Sequence, residues 1–449
     1  SPDSMVLSAP PRALTPPWAA VPLLVVLFGS AAPTVRGSFL RRSALLAQSE
    51  AFEEYVRRHA RPYEAGSGEW EIRRELFQRA AAAVQRQNAR PDRLWTAALT
   101  KLADRTDAEL AALRGYDRGV RRSGGAGVGV QLLSAEHREA DLAGLPEDFS
   151  WRSRLKSMAD VQDQSKCGGC WAFSSATVLR AHAELFQQDR KFSVEEIVSC
   201  TPNPNECGGQ GGCKGATAEL AMEYVKANGC QTKEAWEYDG TEDSGRCPAA
   251  SKRSLAQAPA SAVTDLGGMA FGMRGYRRLP ENQLAPVLLA LVERGPVVVS
   301  LAAGPSWNLY HSGILDACPK DAIIDHAVTL VGFGVGRAGS EAGQRYWHIQ
   351  NSWGPTWGEG GFIRLARHEH SEERRYCGMD TKPQMGSGCK DGPPQVRVCG
   401  TCGLLYDVVV PEFVLGTQGL WSSQSFVQGL RQEVRAPGAT IDSNQSASP

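Results

Sequence analysis

Three short islands, far apart in the chain, carry residue types that suit nucleophilic chemistry. They run over 162–174 (QDQSKCGGCWAFS), 324–328 (IDHAV) and 350–361 (QNSWGPTWGEGG). A cysteine, a histidine and an asparagine so widely separated can act together only if folding brings them side by side. The islands therefore predict a fold whose site is assembled from three distant segments.

The residues around Cys170 favour an accessible, ionised thiol. Gly168 and Gly169 precede it, and a helical run over 171–185 follows. A helix amino terminus and a neighbouring imidazolium both lower the pKa of a thiol. We therefore expect Cys170 to start a helix that ends near Gln187 and to have a depressed pKa.

Each residue also has a simpler explanation when it is taken alone. A lone cysteine is usually a small buried hydrophobe, a lone histidine is usually a core or rim residue, and Asn-Ser-Trp-Gly is usually a turn. The three residues occur, however, inside three extended motifs in one chain order. That joint occurrence favours a catalytic site over coincidence.

A second interpretation treats two C-x-x-C pairs as redox or zinc sites. The pairs are Cys167/Cys170 and Cys399/Cys402, and only Cys389 lies close to the second pair. A redox pair would leave the second and third islands without a role, and a zinc site would need another ligand pair. We therefore expect no metal and no cofactor.

Together the three islands closely resemble those of the papain family of cysteine proteases. The resemblance implies that Cys170 is the nucleophile, that His326 is its acid/base partner and that Asn351 orients the imidazole. It also implies that Gln164 and the backbone N–H of Cys170 stabilise the oxyanion. Peptide bonds would then be hydrolysed through a thioester acyl-enzyme, and an endopeptidase is expected.

Two alternatives remain open beside the endopeptidase. One is a papain-like exopeptidase whose cleft is partly closed by an insertion, either near 249–278 or over 389–402. The other is a binding or storage relative without catalysis. Such relatives usually lose the nucleophile, whereas this chain keeps all four groups.

The segment from 52 to 116 reads as helical, with few breakers and several Glu–Arg pairs at i,i+4 spacing. Its spacing resembles the interrupted helical signature of cathepsin L-like propeptides. The matching positions are Glu69, Arg73, Phe77, Ala80, Val84 and Asn88, with Ala80 where the family usually has Asn. The resemblance implies an intramolecular inhibitor that lies through the cleft.

The resemblance also implies an α+β, papain-like two-lobe fold, with a helical lobe and a β-barrel-like lobe preceded by a small helical propeptide domain. Strands are predicted over 297–301, 327–331 and 404–410. The expected organisation is a signal peptide with upstream residues (1–37), the helical propeptide (48–120), a linker with the activation cleavage (121–145), the peptidase domain including a Cys-rich insertion (146–415) and a flexible tail (416–449).

Twelve cysteines indicate an oxidising compartment. The apolar run from Trp18 to Phe28, followed by small residues, has the length of a signal peptide. We expect the secretory pathway, with a lysosomal, vacuolar or extracellular destination and no stable membrane insertion after signal removal. Basic and acidic residues balance at 49 each, so charge indicates no nucleic-acid partner. The expected partners are protein or peptide substrates and the chain's own propeptide, with a monomeric enzyme.

Disulfide pairs and subsites follow from the resemblance alone. The implied pairs are Cys167–Cys213, Cys200–Cys247 and Cys318–Cys377. Cys207 and Cys230 could pair with each other, which leaves Cys389, Cys399 and Cys402 as an odd group. The positions matched to substrate binding are Gly168, Gly215, Ala216, Ala218, Ser300, Ile324, Asp325, Ala327 and Trp353. Lys382 is placed at the floor of the pocket for the second-position side chain, which is expected to be apolar.

Overall fold

The computed structural model describes residues 50–115, 142, 144–240, 247 and 267–414. The chain divides into two units, 1–57 and 58–449. In the first unit, the described residues 50–57 are helical. The predicted signal peptide and tail, and most of the linker, lie outside the described residues. All that follows concerns the second unit.

The amino-terminal module, which we define as residues 58–115, contains two helices and one strand. Helix α1 (Gly68–Asn88) begins after Ser67, whose hydroxyl accepts the Trp70 N–H at 3.1 Å. Strand β1 spans Trp95–Ala97, and helix α2 (Asp107–Leu113) begins with a capping box. The segment predicted as helical thus contains two helices, with one short strand between them that was not predicted.

The break in the helical run has a local cause. Pro91 lies three residues beyond the end of α1, where its ring disfavours further helix. The Asn88 side chain then bonds to both backbone groups of Ala97, at 2.8 Å each. These bonds hold the returning chain as an extended strand.

Three helices lie in the following segment, and they bury one apolar cluster that includes Cys170. The helix predicted from Cys170 is confirmed and ends at Phe186. It begins after Gly169, with no side chain capping it. These helices are α3 (Cys170–Phe186), α4 (Val194–Cys200) and α5 (Ala218–Asn228).

The rest of the second unit is mainly sheet. Its elements are β2 (Phe149–Ser150), β3 (Met273–Arg278), α6 (Leu284–Glu293), β4 (Val297–Leu301), β5 (Tyr310–Leu315), β6 (His326–Val335), β7 (Arg345–Gln350), β8 (Phe362–Ala366), α7 (His370–Glu373), β9 (Cys377–Asp380), β10 (Val396–Cys399) and β11 (Asp407–Phe413). The larger sheet has the order β1-β5-β8-β7-β6-β4-β11-β3, with β2 paired to β6. Strands β9 and β10 form a separate antiparallel pair.

The register of the larger sheet positions the second and third islands. Strand β6 starts at His326, opposite Leu301 of β4, and pairs with β7, which ends at Gln350. Asn351 follows directly and donates its N–H to the Gly361 carbonyl at 2.9 Å. The second and third islands, which are separated in sequence, therefore meet at the same end of the β6–β7 pair.

The last strand differs from its predicted limits. Residues 401–403 form a tight turn in which Cys402 has φ +56°, and β11 begins only at Asp407. It then pairs with β4 on one side and β3 on the other, reaching Phe413. This register places Asp407 opposite Ser300.

Five disulfides join described residues, and two of them match the implied pairs: Cys167–Cys213 and Cys200–Cys247. The prediction of a Cys318–Cys377 pair is wrong, because β9 and β10 set Cys377 directly opposite Cys399 and β11 brings Cys402 to Cys318. The suggested Cys207–Cys230 pair is also wrong. The observed additional pairs are Cys318–Cys402, Cys377–Cys399 and Cys207–Cys389, while Cys170 and Cys230 are free and buried.

A second large core lies under the sheet and includes side chains of the amino-terminal module. Trp95, Leu102 and Leu113 pack in the same buried cluster as Trp347 and Ile349. Among the described residues, no helix has the length and apolar character needed to cross a membrane.

Candidate active site

Cys170 lies at the first position of α3, with only 4% of its surface exposed. Its Sγ atom accepts the Ala327 N–H at 3.5 Å. Because Ala327 follows His326, this contact brings the first two sequence islands together.

The imidazole of His326 is oriented by Asn351. His326 Nε2 lies 2.9 Å from Asn351 Oδ1, which also accepts the Ser352 N–H at 2.8 Å. Since Oδ1 acts as an acceptor, Nε2 must carry the hydrogen. His326 Nδ1 has no hydrogen-bond partner among the described residues, so it is the nitrogen that remains able to take a proton.

Tryptophan rings shield this hydrogen bond from water. The Trp353 ring centroid lies 5.1 Å from that of His326, and the Trp307 ring meets the imidazole edge-on at 6.1 Å. Trp357 stacks on Trp307 at 6.0 Å. All three indoles are at most 2% exposed, so they surround the His326–Asn351 pair with apolar surface.

Gln164 is fully buried and is linked to the third island through Ser352. The Gln164 N–H donates to the Ser352 carbonyl at 2.9 Å, and the Ser352 hydroxyl donates to Gln164 Oε1. This second bond fixes the orientation of the amide, so that Nε2 faces the opposite way. Gln164 Nε2 donates to the carbonyls of Cys167 and Leu113, at 2.8 and 2.7 Å.

The carbonyl of Leu113 belongs to the amino-terminal module, whose end lies over the candidate site. Arg114 follows and forms an ion pair with Asp325 Oδ2 at 2.8 Å. Gly115 has φ +74°, and a Cβ atom there would lie 3.1 Å from the Gly168 carbonyl oxygen and 3.2 Å from Gly215 Cα. The module thus covers the site with close backbone contacts.

Burial dominates the electrostatics of the covered site. It raises the pKa of the Cys170 thiol to about 11, against the lowering effect of the N–H groups of Ala327, Trp171 and Cys170 itself. It also lowers the pKa of His326 to about 4. The expected depression of the thiol pKa is therefore absent while the module is in place, and both groups are neutral near pH 7.

The positions matched to substrate binding are distributed over several elements. Ala216, Ala218 and Ala327 pack in the same buried cluster as Cys170. Ile324 packs in a small separate cluster with Val398 and Tyr406. Gly168, Gly215 and Asp325 contact the amino-terminal module, and Trp353 covers the imidazole.

Lys382, which was predicted at the floor of the pocket, is exposed and lies in the connection after β9. The group next to Ser300 is Asp407, whose Oδ2 accepts the Ser300 hydroxyl at 2.7 Å. The sequence analysis missed Asp407 because it matched the stretch CGMD at 377–380 to the family pattern. The similar stretch CGLL at 402–405, which lies just before Asp407, was left unmatched.

Asp407 is part of a buried charge cluster with Arg278 and Glu219. Arg278 Nε lies 3.2 Å from Asp407 and 3.6 Å from Glu219. Burial, with the nearby Asp407 charge, raises the pKa of Glu219 well above its usual range. The cluster thus places acidic oxygens next to Ser300, one of the residues matched to the pocket for the second-position side chain.

Comparison with known proteins gives a consistent result. Residues 145–387, more than half of the chain, match the papain family of cysteine proteases. Cysteine endopeptidase RepA of Oryza sativa subsp. japonica is 30% identical over 341 residues, which cover 74% of this chain and 83% of RepA. A cathepsin L-like proteinase of Phaedon cochleariae is 28% identical over 339 residues, or 74% of this chain and 91% of the relative.

Two solved structures have the same fold over most of the chain. A recombinant stem bromelain precursor superposes with a TM-score of 0.58 at 24% identity and covers 83% of this chain and 100% of its own. Procathepsin L 3 of Tenebrio molitor superposes with a TM-score of 0.57 at 21% identity, covering 82% and 99%. The α+β papain-like fold is therefore confirmed.

The chain belongs to the papain family of cysteine proteases. It is accordingly a papain-like cysteine peptidase, a hydrolase, as the three sequence islands predicted.

Proposed function

We propose that this chain is the zymogen of a cysteine endopeptidase in which Cys170 is the nucleophile, His326 the acid/base, Asn351 the orienting residue and Gln164 an oxyanion donor. One observation carries the proposal. The His326 ring is locked by Asn351 with Nε2 donating, while its other nitrogen is unpartnered beside the residue that contacts the Cys170 sulfur. This is the arrangement that a thiolate–imidazolium pair requires.

The reaction begins when His326 Nδ1 takes the thiol proton and the sulfur attacks the substrate carbonyl carbon. The developing oxyanion is stabilised by Gln164 Nε2 and the Cys170 N–H. His326 returns the proton to the leaving amine, so the peptide C–N bond breaks and a thioester remains. Water activated by His326 then hydrolyses the thioester and frees Cys170. Asn351 is neutral, so it orients the ring without competing for the proton.

Inhibition by the amino-terminal module follows from the same geometry. The carbonyl of Leu113 accepts the Gln164 amide that would stabilise the oxyanion, and residues 112–115 pass over Gly168. Desolvation keeps the thiol and imidazole neutral. Removing the module would rehydrate both groups and favour the ion pair, because hydration stabilises charged forms.

The environment and partners of the enzyme follow from its disulfides and its class. Five disulfides favour the secretory pathway, with a lysosomal, vacuolar or extracellular destination. The substrates would be proteins or peptides, and the activated enzyme would act as a monomer. Similar proteins include a plant cysteine endopeptidase, which supports internal cleavage.

The test uses full-length protein activated at mildly acidic pH with reductant. Cys170→Ser should lower peptide hydrolysis by about three orders of magnitude or more, because serine is not activated by this pair. Cys230→Ser is the matched control, since Cys230 is the other free buried cysteine. An epoxide inhibitor should label the wild type and the control but not Cys170→Ser. Full activity in Cys170→Ser would refute the assignment.

A further inference from the structure

The connection between β9 and β10 has no part in the chemistry proposed above. We call residues 383–392 of this connection the strap. It leaves β9 next to Asp380 and returns to β10, so the two strands form the base of a hairpin. Both ends of the strap are therefore held by the β9–β10 pair. We call the larger sheet together with this pair the sheet lobe, and the region of α3, α4 and α5 the helical lobe.

At its start the strap is held to the segment that leads into β6. Asp380 is fully buried, and its Oδ2 accepts the Ile324 N–H at 3.1 Å. Its Oδ1 accepts the Lys382 N–H at 2.7 Å. One carboxylate thus joins the first residues of the strap to the wall formed by Ile324 and Asp325.

At its tip the strap is held to the helical lobe. The Gly208 N–H donates to the Gly388 carbonyl at 2.8 Å, and the Lys390 N–H donates to the Asn205 carbonyl at 3.1 Å. Lys390 Nζ forms an ion pair with Glu206 at 2.9 Å. The Cys207–Cys389 disulfide adds a covalent bond between the same two segments.

These two anchoring segments are opposite walls of the cleft. The amino-terminal module shows this, because its last described residues touch both of them. Arg114 pairs with Asp325 on the sheet-lobe side, and Gly115 lies against Gly215 on the helical-lobe side. A segment bound to Ile324 on one side and to Gly208 on the other therefore crosses the groove.

The crossing is tight. A side chain at Gly386 would collide with the Ile324 carbonyl oxygen, and a Cβ at Gly208 would lie 2.9 Å from both the Gly386 and the Ala216 carbonyl oxygens. Ala216 is a residue to which we assign substrate binding. The strap backbone therefore occupies the space between Ala216 and Ile324. By the family resemblance, Ile324 belongs to the pocket for the second-position side chain, which precedes the scissile bond, so the strap lies on the amino-terminal side of that bond.

We propose that the strap closes the cleft on the amino-terminal side of the scissile bond, so that the activated enzyme prefers substrates whose chains begin within a few residues of that bond. This inference rests on the proposed function. It narrows the proposed endopeptidase activity: the same catalytic site would still cut internal bonds, but more slowly than bonds within a few residues of a chain's amino terminus.

The test compares two fluorogenic peptides with the same residues around the scissile bond. One peptide begins with a free amino group two residues before that bond, and the other is acetylated and longer by four residues at its amino terminus. The ratio of kcat/KM for the short peptide to kcat/KM for the long peptide reports how strongly the strap hinders the longer chain. The activity on the short peptide alone shows whether the enzyme is correctly folded. The wild-type enzyme should favour the short peptide by at least about tenfold.

Cys207→Ser/Cys389→Ser removes the covalent anchor and should bring the ratio towards one by accelerating cleavage of the long peptide. Cys377→Ser/Cys399→Ser is the matched control. It removes a disulfide of the same hairpin that does not cross the cleft, so the ratio should stay at its wild-type value. Lys390→Ala keeps every disulfide and should shift the ratio in the same direction, though less, if the double variant fails to fold.

A wild-type ratio near one would contradict the inference that the strap closes the cleft, but it would leave the peptidase assignment intact. An unchanged ratio in both strap variants, with normal activity on the short peptide, would also overturn it. Failure of the wild-type enzyme to cleave either peptide would instead contradict the proposed function, and the strap inference with it.

Discussion

The imidazole of His326 is held by a single amide oxygen that accepts two hydrogen bonds. Because the Ser352 N–H already orients Asn351 Oδ1, the amide cannot rotate without losing a buried bond. The His326 ring therefore inherits its orientation from the backbone of the following loop. At the scale of residues, the orientation of His326 therefore depends on Asn351 and also on Ser352, which takes no part in the chemistry.

Asp325 is the residue at which pH can act on the zymogen. Burial raises its pKa to about 6, although the Arg114 charge and the Ala303 N–H oppose that shift. The ion pair with Arg114 requires the ionised carboxylate. It is therefore present above about pH 6 and is lost as the pH falls through that value.

We predict that Arg114→Ala shifts the onset of self-processing to higher pH. Without the guanidinium, the module loses a contact that holds it over the site above about pH 6, so processing should need less acid. The measurement is the rate of conversion of full-length protein at a series of pH values. Arg90→Ala is the control, because Asp92, which is exposed, is the one ion-pair partner of Arg90 among the described residues. Identical pH profiles for Arg114→Ala and wild type would contradict the prediction.

Helices α1 and α2 are joined mainly through one carboxylate. Glu109 accepts hydrogen bonds from Arg73, from Arg105 at 2.8 Å and from the Thr106 N–H at 2.8 Å. Burial raises its pKa, but these bonds outweigh burial and lower it to about 2. The folded-state pKa is below the ordinary value of 4.5, so the stabilisation is present above pH 4.5 and is lost as the pH falls towards 2.

We predict that Glu109→Gln destabilises the amino-terminal module by about 1–3 kcal/mol at pH 7, because it removes the nearer charged partner of Arg73 and leaves only the more exposed Glu69, at 3.3 Å. The same variant should also remove part of the stability loss between pH 4.5 and 2. Hydrogen exchange of α1 and α2 in full-length Cys170→Ser protein measures both effects. Glu75→Gln should have little effect, since the Glu75–Arg79 pair is exposed. Equal protection in the two variants would refute the role of Glu109.

Element boundaries near the carboxyl end are set by competition between two similar segments. Both CGMD at 377–380 and CGLL at 402–405 could supply the cysteine that pairs with Cys318, and the family resemblance was taken to imply the first. In the structure β11 fills the sheet position between β4 and β3, which carries Cys402 to Cys318. The first segment is then free to form the base of the strap hairpin.

At the scale of the whole molecule, the amino-terminal module shares a core with the peptidase sheet. Strand β1 extends the larger sheet by pairing with β5, and Trp95 and Leu113 lie in the core cluster of that sheet. Thr100 also donates to the Asn308 carbonyl, at 2.5 Å. Removal of the module would expose this apolar surface, so inhibition and packing depend on the same contacts.

We predict that peptide mapping of the oxidised protein recovers the disulfides of the fold rather than those implied by the family resemblance. The diagnostic fragments should link Cys318 to Cys402, Cys377 to Cys399 and Cys207 to Cys389. Alkylation of the denatured but unreduced protein should modify Cys170 and Cys230, which are free and buried in the fold. The Cys167–Cys213 fragment serves as the internal control. A fragment that joins Cys318 to Cys377 would contradict this topology.

The sequence alone determined the family, the four candidate catalytic residues and the start of α3 at Cys170. These features depend on local motifs, in which glycines, a helical run and an Asn-Ser-Trp-Gly turn occur at fixed spacing. It also predicted the strand at Val297–Leu301 from its β-branched valines, and the structure confirms it as a fully buried strand.

Only the tertiary structure decided the partners of distant residues. The strand at Trp95–Ala97, the pairing of Cys318 with Cys402 and the place of Asp407 beside Ser300 all depend on which strand occupies which position in the sheet. The crossing of the cleft by the strap has the same origin. Such choices are made by burial and backbone pairing across long sequence separations, and local residue patterns do not encode them.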